Sequence, residues 1–204
     1  MAVLLEAFDE SVWPPGAPEY SYNKLRSAPV QCGNGSLRVT AILAGNLIPQ
    51  CPNLGLDDSC TIYFERPLVC RIYPAEISPF IPLSPSAKDC PPESWHQGNL
   101  LGSDRVLTNQ ILQSQQADRD DAQLKVKICE ALGMTVAAWK GNGFTVYMPT
   151  VDRMLAAIRG LDSPSQTDST WQIKVEDSVL QDTLEHRSFA LERNASNDFI
   201  FHKL

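Results

Sequence analysis

The sequence predicts an α+β fold in a single domain, with a loop-rich cysteine region and a helical C-terminal half. Three observations lead there. Apolar residues recur at helical spacing within residues 104–160, as in Leu124, Ile128, Ala131 and Leu132. Short runs rich in β-branched and aromatic residues, Leu37–Ala44 and Phe144–Met148, have the composition of strands. Between Pro74 and Pro92 stand six prolines, which forbid a long helix or a central strand. A chain of 204 residues is long enough to bury a core without crosslinks.

Taken in order, residues 1–31 are expected to form an N-terminal arm. WPPGAPEYSYNKLRSAP is rich in Pro, Tyr and Ser, and its aromatics, Trp13, Tyr20 and Tyr22, are expected to pack as a lid on the core. Residues 32–98 form the cysteine region. It opens with CGNGS and the Leu37–Ala44 run, which suits a short strand with a helix as the alternative, and Asp57–Asp58–Ser59 then makes a turn. Thr61–Phe64 suits either a strand or a first helical turn. Arg66–Pro67 marks a boundary, because proline disfavours the helical conformation in the residue before it.

Residues 99–204 are expected to pack on that region as an α+β unit. Asp104–Gln116 and Arg119–Leu132 read as helices, the second closed by Gly133. Gly141–Asn142–Gly143 is a turn. Thr150–Arg159 begins with an N-cap and carries Met154, Leu155 and Ile158 on one face. Residues 161–169 form a polar loop. Trp171–Val175 reads as extended, Val179–Arg187 as helical and the FIFHKL tail as a strand.

The formal net charge of −7 and the lack of a Lys/Arg run argue against nucleic acid as a partner. No apolar run has the length of a transmembrane helix, so no membrane partner is expected. The N-terminus has acids by Asp9 and no basic region before its apolar start, which argues against a signal peptide. These points predict a cytoplasmic protein. A protein partner stays open.

Five of the six cysteines lie between Cys32 and Cys90, and Cys51, Cys60 and Cys70 share the stretch CPNLGLDDSCTIYFERPLVCRIYP. Cytosolic thiols stay reduced, so clustered cysteines there suggest metal binding ahead of disulfides or unligated thiols. Thiolates bind soft metals, and four complete a tetrahedral zinc or hold an iron–sulfur cluster. The candidate ligands are Cys32, Cys51, Cys60, Cys70 and Cys90, with His96 a weaker substitute. Cys129 lies beside a helical apolar stripe and reads as a small buried hydrophobe. The spacing has no C-x-x-C pair and by itself names no site. Arg66 and Arg71 would either offset thiolate charge or form salt bridges with Glu65 or Glu76.

The stretch from Cys60 to Pro74 resembles the YkgJ-like, or CxxCxxCC, zinc- or iron-chelating cysteine-cluster family. Cys60, Ile62, Tyr63, Arg66, Pro67, Cys70, Arg71, Tyr73 and Pro74 match its pattern, as do Cys51, Pro52 and Leu54 upstream. Cys90 stands where relatives carry a later cysteine. The opening cluster is eroded: Cys32–Gly33 remains, with Gly35 and Ser36 where cysteines are expected. The resemblance covers about residues 32–98. It implies a [4Fe–4S] cluster or iron of redox or structural role, with zinc in a non-catalytic interaction module as the alternative. Flagellin lysine methylases, which use S-adenosylmethionine, carry a similar arrangement. No cofactor motif for that chemistry is found here, and no G-x-S-x-G, P-loop or dinucleotide fingerprint occurs. No catalytic residue is assigned, and whether the chain is an enzyme stays open.

Overall fold

The computed structural model describes all residues other than Trp13, Pro15, 46–49, Asp89, 97–103, 162–169 and Ala195. The polar loop expected at 161–169 lies, after Leu161, outside the described residues. The fold is α+β, as its sequence predicts. The chain divides into two compact units, one made of Met1–Asn46 with Asp121–Leu204, the other of Leu47–Asp120. The boundaries expected after residues 31 and 98 coincide with neither junction.

The first unit is built on a seven-stranded sheet. Its central strand is β1, Ala2–Phe8. On one side β1 pairs antiparallel with β3, Gly35–Ala44, which in turn pairs with β2, Ala28–Cys32. On the other side β1 forks. Val3–Leu5 pair antiparallel with β5, Gly143–Tyr147, while Glu6 and Ala7 pair parallel with β4, Val136–Trp139. Beyond the fork, β4 pairs parallel with β6, Gln172–Lys174, and β5 pairs antiparallel with β7, Ile200–Lys203.

The expected N-terminal arm is thus part of the fold, and its first residues, β1, are the middle of the sheet. Val3, Leu5 and Ala7 alternate inward in β1, and Glu6 and Phe8 are buried as well. The short apolar start outweighs the proline-rich segment behind it. Pro18 opens α1, Pro18–Leu25, in the first turn, where a missing N–H costs no hydrogen bond. Tyr22 is buried, in keeping with the lid role expected of it.

Three helices follow in this unit: α4, Ala122–Ala131; α5, Val151–Gly160; and α6, Ser178–His186. (Helices α2, Leu68–Ile72, and α3, Arg105–Asp120, belong to the second unit.) Thr150 caps α5 by accepting from the Arg153 N–H, and Asp177 caps α6 by accepting from that of Leu180. The buried residues of α4 are Ala122, Lys125, Val126, Ile128 and Cys129; Ile128 faces the core as expected, while Leu124 is half-exposed. Met154 and Ala157 of α5, with Leu161 just beyond its end, face the core, in place of the expected Leu155 and Ile158.

Polar groups finish the C-terminal end of β1. Buried Glu6 accepts from Lys140 Nζ at 2.7 Å. Asp9 pairs with Arg187, which also donates to Ser11 Oγ. Glu10 accepts from Tyr20, Lys24 and Arg38. Arg38 also donates to the Ser27 hydroxyl and to the carbonyls of Lys24 and Ser27, which stitches β3 to the end of α1. Gly33 turns the β2–β3 hairpin at φ +58, where a Cβ would collide with the Ser188 carbonyl.

The second unit contains α2, Leu68–Ile72, and α3, Arg105–Asp120, which pack on one another. Short 3₁₀ turns occur at Tyr63–Glu65, Pro85–Ala87 and Pro92–Trp95. Residues 74–95 otherwise lack regular structure among the described residues, as the prolines predict. This loop is held by Lys88, which donates to Glu76 at 2.5 Å, and by Gln115 of α3, which donates to the Ile77 carbonyl.

Candidate metal centre

The cysteine segment of the second unit is shaped by turns. Leu54 N–H donates to the Cys51 carbonyl, and Leu54 then makes an isolated antiparallel bridge with Cys60. Between them, Asp57 accepts from both the N–H and the hydroxyl of Ser59, and Asp58 adopts φ 61. The Ser59 hydrogen bonds hold the Asp57 carboxyl below its ordinary value. Thr61 closes the pinch by donating its N–H and hydroxyl to the Asn53 carbonyl. The backbone thus folds the Cys51 arm onto the arm that carries Cys60.

Beyond the 3₁₀ turn, Pro67 precedes the first residue of α2, and Cys70 lies within that helix. Two arginines brace this corner. Arg66 donates to the Tyr63 carbonyl and lies 3.9 Å from the centre of the Tyr63 ring. Arg71 donates to the carbonyls of Arg66 and Phe64. Among the described residues no ion pair joins either arginine to Glu65 or Glu76, and Glu76 pairs with Lys88 instead. Cys90 follows the proline loop, just before the turn at Pro92–Trp95; His96 is exposed at that turn's end.

All six cysteines are free thiols. Cys51, Cys60 and Cys90 are half-buried and Cys70 is exposed. Cys32 and Cys129 differ in kind. Cys32 ends β2, bridges Trp171 and donates its thiol to the Ala190 carbonyl at 3.5 Å, with no exposed surface. Burial pushes its pKa up to about 11. Cys129 sits in the core stripe of α4, and burial, with the nearby charge of Glu130, raises its pKa to about 12. A buried thiol held in its neutral form is a packing group and a poor metal ligand. Cys32, a candidate ligand by sequence, therefore belongs to the core of the first unit, whereas the other four candidates lie in the second. Cys129 is the buried hydrophobe its helical position predicts.

No three His, Cys, Asp or Glu side chains are gathered closely enough to hold a metal ion, among the described residues. Nor is any described helix long and apolar enough to cross a membrane. No family model, curated protein or solved structure matches the chain.

Proposed function

We propose that the chain is a metal-binding protein whose second unit, residues 47–120, folds around a centre held by Cys51, Cys60, Cys70 and Cys90. The observation that carries this is the near-absence of a core in that unit. Among its described residues only Ile72 and Ser114 are buried. A segment this short that buries so little apolar surface calls for a disulfide, a metal or a partner to hold it. Its four thiols are free, and four soft donors match a zinc tetrahedron or an iron–sulfur cluster in number and kind. The thiols are not gathered in the arrangement described, so metal binding would draw them together, and its free energy would become folding free energy.

Cys32 is left out of the set because its thiol is a core group of the first unit. The motif resemblance from Cys51 to Pro74 favours iron, as a [4Fe–4S] cluster or a mononuclear site of redox or structural role. Zinc in a non-catalytic interaction module is the second reading, favoured by the poverty of the core, which asks only for a structural staple. Neither arginine of the corner has a carboxylate partner among the described residues, so both are free to offset thiolate charge. A cytoplasmic location is proposed with this reading, in keeping with six free thiols, and nucleic acid is not proposed as a partner.

The test is metal and acid-labile sulfide analysis of protein purified without oxygen. Iron with sulfide, and broad absorbance near about 400 nm, establishes the cluster. Colourless protein with one zinc establishes the second reading. In either case Cys60→Ser and Cys70→Ser should release the metal and expose residues 47–120 to protease. Metal retained by both variants, or protein that carries none, overturns the proposal.

A further inference from the structure

We infer that the outward face of α5 is a docking surface for a second copy of this chain, whose own α5 packs on it antiparallel across a two-fold axis. Helix α5 is apolar on two faces. Met154 and Ala157, with Leu161 just beyond the helix end, turn inward to the core. Val151, Leu155 and Ile158, which are 55%, 41% and 44% exposed, form a second stripe in solvent. Their spacing of i, i+4 and i+7 keeps the three side chains in one row, the arrangement of a helix–helix seam. A single exposed apolar side chain needs no explanation, but a row of three along one helix face marks a surface that is covered.

The charges beside the stripe point to the occupant. At about 100° per residue, Asp152 and Arg159 fall on one flank of the stripe, away from Met154. Asp152 lies in the first turn and Arg159 in the last. They are about 10 Å apart along the axis, too far to pair with one another. Both are exposed, and neither has an ion pair or side-chain hydrogen bond among the described residues. A two-fold that lays a second α5 antiparallel sets each Asp152 beside the second copy's Arg159, so the surface complements itself twice. A parallel pairing would oppose like charges at both ends. The antiparallel register also seats the apolar row. The axis passes beside Leu155, and Ile158 falls between the second copy's Leu155 and Val151, a knob between two neighbours. The helix dipoles are opposed in the same arrangement. A helix of ten residues is about 15 Å long, so the contact is at the small end of specific interfaces and the dimer is a weak one.

Light scattering and sedimentation equilibrium of the full chain under reducing conditions, from low micromolar to several hundred micromolar, test this. A concentration-dependent dimer is expected. Asp152→Arg and Arg159→Asp should each weaken it roughly tenfold or more, because each sets like charges against one another at both ends of the seam. Mixed in equal amounts, the two variants should recover the dimer, since every arginine then faces an aspartate. Leu155→Lys, which brings two lysines together beside the axis, should abolish it. All three positions are exposed, so the far-ultraviolet dichroism should stay that of the native chain. A chain that stays monomeric throughout overturns the inference. So does a dimer as tight in the three variants as in the native chain, or a mixture that associates no better than either charge variant alone. Because these positions lie outside residues 47–120, metal content reports separately on the proposed centre.

Discussion

The two units handle their apolar residues in opposite ways. In the first, Trp171, Phe8, Leu5 and Leu37 are almost wholly buried around one sheet. In the second, Leu56, Phe64, Val69 and Ile81 face solvent, and Ile72 is the one buried hydrophobic side chain among the described residues. The cysteines divide the same way. Where there is a core, Cys32 and Cys129 serve as small apolar groups; where there is none, Cys51, Cys60, Cys70 and Cys90 stay accessible. The same residue type is filler in one unit and a candidate ligand in the other, and burial marks which.

Thiol labelling gives the largest contrast. In chelator-treated native protein at pH 8, Cys70 should react with a disulfide reagent at once. A thiol with pKa about 11, such as Cys32, is thiolate in only about one molecule in a thousand at that pH. Cys32 and Cys129 should therefore label only as the first unit unfolds, orders of magnitude more slowly. Mass spectrometry of quenched samples resolves the order, and early labelling of Cys129 would remove the distinction drawn between the two sets.

Truncations come next. Trp171→Ala in the first unit should cost about 3–5 kcal/mol in urea unfolding. Phe64→Ala, at a side chain 91% exposed, should cost no more than about 0.5 kcal/mol. Equal losses would mean that the second unit has a core of its own and no need of a staple.

Cys129→Ser sharpens the comparison further. It places a hydroxyl in the core stripe of α4 and should destabilise by about 1–3 kcal/mol while leaving bound metal unchanged. Cys60→Ser should do the reverse, losing metal with little effect on the unfolding of the sheet. Parallel metal analysis and denaturant titration separate the two.

The smallest effect concerns Glu10. The Tyr20 hydroxyl, with Lys24 and Arg38, holds its pKa down at about 2. A depressed carboxyl contributes stability at pH values above its ordinary 4.5, and the contribution is lost as pH falls through 4.5 toward 2. Glu10 is largely solvent-exposed, so screening limits the contribution to below about 1 kcal/mol. Glu10→Gln should flatten the acid limb of the stability curve by that amount. An unchanged limb would show that the cluster is held by its uncharged contacts.

Much of the first unit is legible in the chain. Thr150 before an amphipathic run, and Gly141–Asn142–Gly143 before a β-branched one, announce α5 and β5 through local rules of capping and turning. The central strand is not legible in the same way. Its apolar start resembles many short runs, and it becomes a buried strand only because β3 on one side, and β4 and β5 from far along the chain on the other, cover its edges. The stripe of α4 is legible in part: Ile128 is buried as its spacing predicts, but packing against the sheet takes Val126 and Cys129 with it and leaves Leu124 half-exposed. For the site, cysteine content and the turn at Asp57–Ser59 are readable. That Cys32 belongs to another unit is not, because the contacts that bury it come from Trp171 and Ala190, far along the chain.

The fork of β1 has a consequence for how the chain folds. The antiparallel partner β3 lies close by in sequence, but the lower half of the fork joins Glu6 to Lys140, 134 residues away. The interior of the sheet cannot become dry until that long loop closes, with residues 47–120 inside it. Loop-closure entropy grows only logarithmically with length, so the intervening unit adds little to the equilibrium cost. It bears more heavily on time. Non-local pairing is reached late, and until then Val3, Leu5 and Ala7 present an unfinished strand edge. The rate at which the two ends of that loop meet should govern how fast the first unit refolds, whatever the state of the cysteine segment between them.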